Sequence, residues 1–254
     1  MRDRWSLNAM VEHLLELDKP LLALYDPAQL PPIGNDRGEL IAGEPDVFLT
    51  EIHRQARDNP IIQLSMLARR GEHLADGAYG QSCVVPVGAL EGVINCGADQ
   101  ILCGTNRTRR AINEAARARV GRRSWYPEPG ERLVCLTNWH RQGLCNGSVW
   151  MVRGVTFGRS RYTRESLIRL ELAAEDDGAV RRIEVPVPTF HVVFDYAYAL
   201  TVHKAQGSQW DHVLLIDESR RLQKGLGIDP KRWLYTGITR AANALALVRK
   251  LARD

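Results

Sequence analysis

Four polar clusters hold the side chains of this 254-residue chain that could do chemistry: Asp26 with Gln29, Arg54, the stretch Thr201–Gly207, and Thr239 with Arg240. In "ALYDPAQLPPIG" (residues 23–34) an apolar run ends in a carboxylate and an amide, then a rigid Pro-Pro. Polar side chains at the C-terminal tip of a buried strand stand where open α/β sheets bind ligands. The guanidinium groups of Arg54 and Arg240 suit planar, bidentate partners such as phosphate. Taken singly, each cluster has a plainer reading. Arg54 alone is a surface ion-pair partner, Gln29 a turn residue beside prolines, and Thr201–Lys204 a solvated helix face.

Each cluster adjoins an apolar segment that would position it. Leu7, Met10, Val11, Leu14, Leu15 and Leu17 recur near helical period behind a capping Ser6. Leu21–Leu24 then reads as a buried strand. "VFLT" (47–50) predicts a short strand, followed by an Arg-bearing turn and a helix from about Asn59 to Arg70. Ile101–Cys103 predicts a strand, Gly104-Thr105-Asn106 a turn, and a helix follows from about Thr108 with Ile112, Ala115 and Ala116 on its apolar face. Near Pro127 the texture changes to short alternating strands, with turn signals at Asn146-Gly147 and Asp177-Gly178. That pattern predicts a small β-barrel. After Phe190 the α/β texture returns: a helix, a polar Gly turn, a strand at Val213–Ile216, a further helix, and a strand at Leu245–Val248. The β module is thus inserted between two halves of one α/β domain.

Composition sets wider bounds. The chain is 44% apolar and 25% charged, as in ordinary globular proteins. Its net charge is +4, carried by 29 arginines against five lysines. A GC-rich genome explains that bias, so charge alone argues weakly for nucleic acid. The five cysteines form no C-x-x-C pair, which favours a reduced, cytoplasmic protein without a zinc site. Glu175-Asp176-Asp177 reads as a solvated turn, and no metal site is expected. The N-terminus has no apolar signal region, and no run has membrane-spanning length, so no membrane partner is expected.

In combination the clusters match one family in order. "LYDPAQLPPIG" resembles motif III of superfamily 1 helicases, "LTEIHRQA" motif IV, "ALTVHKAQGSQWDHVLLID" motif V and "LYTGITRAANALALV" motif VI. The spacing resembles the RecD/Dda-like, 5′-to-3′ branch, whose second motor domain has an inserted SH3-like barrel where this sequence places its β module. The resemblance covers essentially the whole chain. It implies a RecA-like P-loop NTPase fold, with residues 1–50 as the end of the first motor domain. Residues 51–124 and 191–254 would be the second, UvrD-like C-terminal motor domain, and 125–190 the barrel.

By this resemblance Gln29 would contact the γ-phosphate or its attacking water, and Asp26 would fix the motif III loop near the magnesium shell. Arg54 and Arg240 would reach the γ-phosphate from the second domain, where fixed guanidinium groups stabilise developing charge. Gln206 and Gly207 would lie near the nucleotide, with Tyr235 supporting motif VI. Thr201, His203 and Lys204 would face single-stranded DNA. Asn106 and Arg107, at a strand-to-helix turn, are further candidates for phosphate contacts. Two departures stand out. No lysine follows a glycine, so there is no G-x-x-x-x-G-K-[ST] loop. Counting back from motif III, the family's Asp-Glu pair would fall at about Met1-Arg2, so this is expected to be a truncated or split motor half. "VLLIDES" (213–219) imitates a Walker B strand but follows motif V. Tyr25 replaces the glycine usual before Asp-Pro. The expected activity is ATP-driven, Mg²⁺-dependent DNA unwinding, requiring a missing or separately encoded N-terminal half. The alternative is a catalytically inactive module that binds single-stranded nucleic acid.

Overall fold

The computed structural model describes residues 13–18, 22, 24–31, 44–48, 58–89, 97–161, 163–175 and 178–249. The apolar runs at 100–103, 213–216 and 245–248 become neighbouring strands of one sheet. It comprises β1 (Gly77–Tyr79), β2 (Ser82–Pro86), β3 (Gln100–Cys103), β9 (Ala199–Thr201), β10 (Trp210–Asp217) and β11 (Ala241–Arg249), in the order β1-β2-β11-β10-β3-β9. β1 and β2 form an antiparallel hairpin, and the other pairs are parallel. Parallel strands need crossovers, and helices laid on the faces bury them.

Those helices carry clear local signals. In α1 (Pro60–Arg70) the Asn59 side chain accepts from Ile61 N, proline opens the first turn, and Gly71 closes the helix at φ 77°. α2 (Asn106–Arg119) begins behind Thr105, whose hydroxyl accepts from Thr108 N. α4 (Ser219–Leu226) follows β10, and Asp229 with Pro230 starts α5 (Pro230–Ile238). Trp233 of α5 and Leu64 of α1 are wholly buried against Leu102, Leu215 and Leu247 of the sheet.

A second, five-stranded antiparallel sheet is built from β4 (Arg132–Cys135), β5 (Val149–Arg159), β6 (Ser166–Ala174), β7 (Val180–Pro186) and β8 (Phe194–Tyr196), in the order β7-β6-β5-β4-β8. It has its own core, including Leu133, Ile168, Leu172, Phe190 and Phe194. β8 pairs with β4, so this unit runs on to Tyr196, past the expected limit at 190. A short helix, α3 (Phe190–Val193), precedes β8.

Several expectations need correction. Leu22 and Leu24 lie outside any strand and are 81% and 82% exposed. An apolar run becomes a buried strand only when sheet neighbours take up its backbone hydrogen bonds, and these two residues have none among the described residues. Val47 and Phe48 are likewise exposed and without regular structure. The helix expected after Phe190 is only four residues long; β8 and β9 follow it, because Tyr196, Ala197 and Ala199 to Val202 are needed as buried, paired backbone. Of the expected first helix, residues 13–16 are helical and 1–12 lie outside the described residues, as does the Asp177 end of the second turn signal.

The largest correction concerns α2. Its buried side chains are Arg109, Asn113 and Arg117, whereas Ala115 is exposed. Each of these side chains finds a partner in or beside the antiparallel sheet, although Arg109 Nε and Nη1 are buried without a hydrogen-bond partner. Arg109 Nη2 donates to Asp195 Oδ2 at 2.7 Å. Asn113 donates to Tyr196 O and accepts from Ala199 N. Arg117 pairs with Glu131, whose side chain is 0% exposed, and lies 4.0 Å over the Tyr196 ring. A buried charge persists only when paired and hydrogen-bonded, so this face docks the two units in one defined register.

Candidate functional site

Three of the sequence clusters meet. Asp26 opens an Asx turn: its Oδ1 accepts from Ala28 N at 2.9 Å, and its backbone carbonyl accepts from Gln29 N. The turn sets Asp26 Oδ2 against α5, where the Tyr235 hydroxyl donates to it at 2.7 Å and Gln29 Nε2 lies at 3.4 Å. Leu30 is inserted into the core of the parallel-sheet unit. Its N–H donates to Thr236 Oγ1 at 2.8 Å, and its carbonyl accepts from Gln206 Nε2 at 2.8 Å. Motif III is thereby tied to motif V through Gln206 and to motif VI through Tyr235 and Thr236.

Arg240 sits beneath this cluster, 8% exposed. Nε donates to Thr236 O, Nη1 to Ser208 O and Nη2 to Thr239 Oγ1, each at 3.1 Å. A guanidinium has five N–H groups, so one remains on each terminal nitrogen of a fixed fork. That is the donor pattern for bidentate anion recognition. Burial lowers the Arg240 pKa, while Tyr235 and Asp26 oppose the shift. The Tyr235 phenol is pushed up to about 12, first by burial and then by its hydrogen bond to Asp26. Arg69 of α1, which sequence reading missed, stands 5.9 Å over the Tyr235 ring. Its signal was available only as a basic residue in the last turn of α1. Gly207 is exposed at φ +84°, where glycine is favoured. Arg54 lies outside the described residues.

The second set of candidates lies at the opposite, C-terminal ends of the parallel strands, along the edge formed by β9. Thr201 pairs with Cys103 at the C-terminal end of β3, and Leu102 pairs with Leu215. Trp210, five residues before Leu215 along β10, pairs with Ala241 next to Arg240. The segment 202–209 therefore crosses from the Thr201 edge to the Arg240 end of the strands, with Val202 and Ala205 buried beneath it. His203 and Lys204 lie at its start and Gln206 and Gly207 further along. Burial lowers the His203 pKa, and burial followed by repulsion from Arg109 lowers that of Lys204. Lys204 Nζ donates to Asn146 Oδ1 at 3.3 Å, so the turn residue Asn146 of the antiparallel unit abuts this crossover.

Asn106 and Arg107 are exposed at the first turn of α2, beside the Thr201 edge. The neighbouring backbone donors are already engaged. Glu218 Oε2 accepts from Gly104 N and Thr105 N, both at 2.9 Å, and Oε1 accepts from Thr108 Oγ1 at 2.6 Å. A carboxylate suits a helix N-terminus, where N–H groups lack intrahelical partners. The Walker B look-alike at 213–219 thus serves as a structural cap. The Asn106 and Arg107 side chains are exposed beside this turn, whose two N–H groups are taken up by Glu218.

The residues present fit the far side of a nucleotide phosphate through the two spare N–H groups on Arg240. They do not fit its magnesium. Asp26 has its oxygens engaged by Ala28 N, Gln29 and Tyr235, and no group of three or more His, Cys, Asp or Glu residues among the described residues could hold a metal ion.

Residues 196–248 match the UvrD-like helicase C-terminal domain family. The chain is 27% identical over 244 residues to the ATP-dependent RecD2 DNA helicase of Deinococcus radiodurans, covering 87% of this chain and 31% of that protein. Its fold is similar to the crystal structure of Pif1 helicase from Candida albicans, with a TM-score of 0.50 at 16% identity, covering 87% of this chain and 62% of that one. The superfamily 1 resemblance read from the motifs is borne out: the chain is similar to the C-terminal portion of such helicases. It spans about a third of the length of the RecD2 relative.

Proposed function

We propose that this chain is the second motor domain, with the end of the first, of an ATP-dependent DNA helicase that moves 5′ to 3′ along single-stranded DNA in the cytoplasm. The observation that carries the reading is the tie of Asp26 to Tyr235 and of Leu30 to Gln206 and Thr236, with Asp26 and Tyr235 within charge range of Arg240, whose fork keeps one free N–H on each terminal nitrogen. The similarity to a relative named as an ATP-dependent DNA helicase supports it. In this reading residues 1–50 end the first motor domain, 51–124 and the chain after Tyr196 form the second, and the antiparallel unit is the inserted SH3-like barrel. A first motor domain, within one polypeptide or separate, supplies the phosphate-binding loop and the magnesium carboxylates. Arg240 and Arg54 compensate the charge that builds on the γ-phosphate, in a partly dry cleft where fixed donors act strongly. Gln29 orients the attacking water. The crossover 202–209 links that event to Thr201, His203 and Lys204 on the DNA edge.

The test is ATP turnover of this chain paired with a RecD-like first motor domain, with and without single-stranded DNA. Arg240→Lys keeps the charge and loses the planar fork, so it should lower kcat roughly 100-fold or more, on the scale of losing one preorganised donor, and disturb ATP binding much less. Normal hydrolysis by that variant would overturn the assignment. DNA binding by the pair without any turnover would favour the inactive binding module.

A further inference from the structure

A groove of about 700 Å³ runs between α2 and the antiparallel unit. Arg110 and Glu114 of α2 form one wall, and Arg123 and Trp125 from the loop after α2, with His191 of α3, form the other. The floor is closed by groups already engaged: Asn113 with the Tyr196 and Ala199 backbone, Arg117 with Glu131, and Asp195 with Arg109. Arg110, Arg123 and His191 are exposed. Neither Arg110 nor Arg123 has an ion-pair partner among the described residues, unlike Arg122, which faces Glu128 and Glu131.

Trp125 is 43% exposed, yet it is held firmly. Its ring packs against Tyr126 at 3.9 Å, His191 at 5.5 Å and Phe190 at 6.5 Å. Its backbone carbonyl accepts from the Tyr196 hydroxyl at 2.6 Å. A held indole that is still 43% exposed, in a groove lined also by two guanidinium groups without ion-pair partners, is equipment for stacking a base and holding its phosphates. We propose that this groove is a second seat for single-stranded nucleic acid, with a base against Trp125 and the flanking phosphates on Arg110 and Arg123.

The seat is distinct from the Thr201–Lys204 contact, and it rests on the reading that the chain binds single strands. Arg107 and Arg110 stand three residues apart on α2, about 4.5 Å of helix rise, so they form a basic track from the Thr201 edge into the groove. Glu114 supplies an acceptor for an exocyclic amine such as that of cytosine. A duplex keeps its bases stacked on one another, which makes an unpaired strand the occupant that satisfies Trp125.

The experiment is fluorescence anisotropy of a labelled 12-nucleotide oligothymidylate with the full chain. Trp125→Ala should weaken binding roughly tenfold, the scale of one base–aromatic stack, while Trp125→Phe should stay near wild type. Arg110→Ala and Arg123→Ala should each weaken binding several-fold and reduce the salt slope by about 0.7. These exposed arginines decide the matter if Trp125→Ala fails to fold. Wild-type binding by the folded Trp125→Ala and both arginine variants, with loss in His203→Ala, would overturn the groove and leave the Thr201-edge reading standing. No binding by the wild-type chain would overturn both. Thymidine monophosphate is expected not to displace the oligonucleotide. Displacement at equal nucleotide concentration would reassign the groove to a free nucleotide and overturn the proposal.

Discussion

The Tyr235 hydroxyl donates to Asp26 Oδ2 across 2.7 Å, joining α5 to a turn 209 residues earlier in the chain. Phenol and carboxylate are both half-buried, so the bond is charge-assisted and partly shielded from water. Tyr235→Phe should cost about 1–2 kcal/mol in urea unfolding. The phenol's raised pKa sets a pH dependence of known sign. The folded state holds this proton more tightly than the unfolded chain. The contribution is therefore complete below the unfolded value near 10 and is lost as pH rises through about 12. Ultraviolet titration of tyrosinate in wild type and Tyr235→Phe measures it directly.

Glu131 is fully buried and receives Arg117 through both Nε, at 2.7 Å, and Nη2, at 3.1 Å. Glu131→Ala should destabilise by about 3–5 kcal/mol, because it strands a buried guanidinium. Glu131→Leu combined with Arg117→Met should recover much of that loss, since well-packed apolar residues can replace a buried pair. Thermal melts of the two variants test whether this pair sets register or supplies net stability.

Glu218 caps α2 through the Gly104 and Thr105 N–H groups. Glu218→Ala leaves both donors without this partner and should cost about 1–3 kcal/mol. Asp217→Asn changes a single contact, to Ser219 N, and should cost well under 1 kcal/mol. Equal, small effects of the two on stability would show that Glu218 is not a structural cap.

Burial holds the His203 imidazole below its usual pKa, so it is neutral at pH 7. Its stabilising share is present above the unfolded value near 6.5 and lost as pH falls through the lower folded value. His203→Ala should flatten the stability profile on the acid side of pH 6.5, and imidazole NMR titration should place His203 below the free imidazole value near 6.5.

Sequence alone determined the motifs and most of the parallel-sheet unit. Ile101–Cys103, Val213–Ile216 and Leu245–Val248 are apolar runs bounded by polar turns, the pattern of parallel strands buried on both faces, and each finds a paired neighbour in the sheet. The Asn59-Pro60 and Asp229-Pro230 starts depend only on local hydrogen bonds. Asp26, Gln29, Gln206, Tyr235 and Arg240 were legible because their order and spacing match a family. Their mutual geometry was not, since the Tyr235–Asp26 and Leu30–Thr236 bonds join residues 209 and 206 positions apart. Only tertiary structure decided that Leu22 and Leu24 stay exposed, that β8 belongs to the antiparallel sheet, and that α2 buries arginines rather than alanines. A periodicity reading scores each residue by its own polarity. Arg109, Asn113 and Arg117 are buried because Asp195 and Tyr196 of β8, the Ala199 backbone of β9 and Glu131 converge on them from distant parts of the chain. That compensation of charge by distant partners has no signature in local sequence.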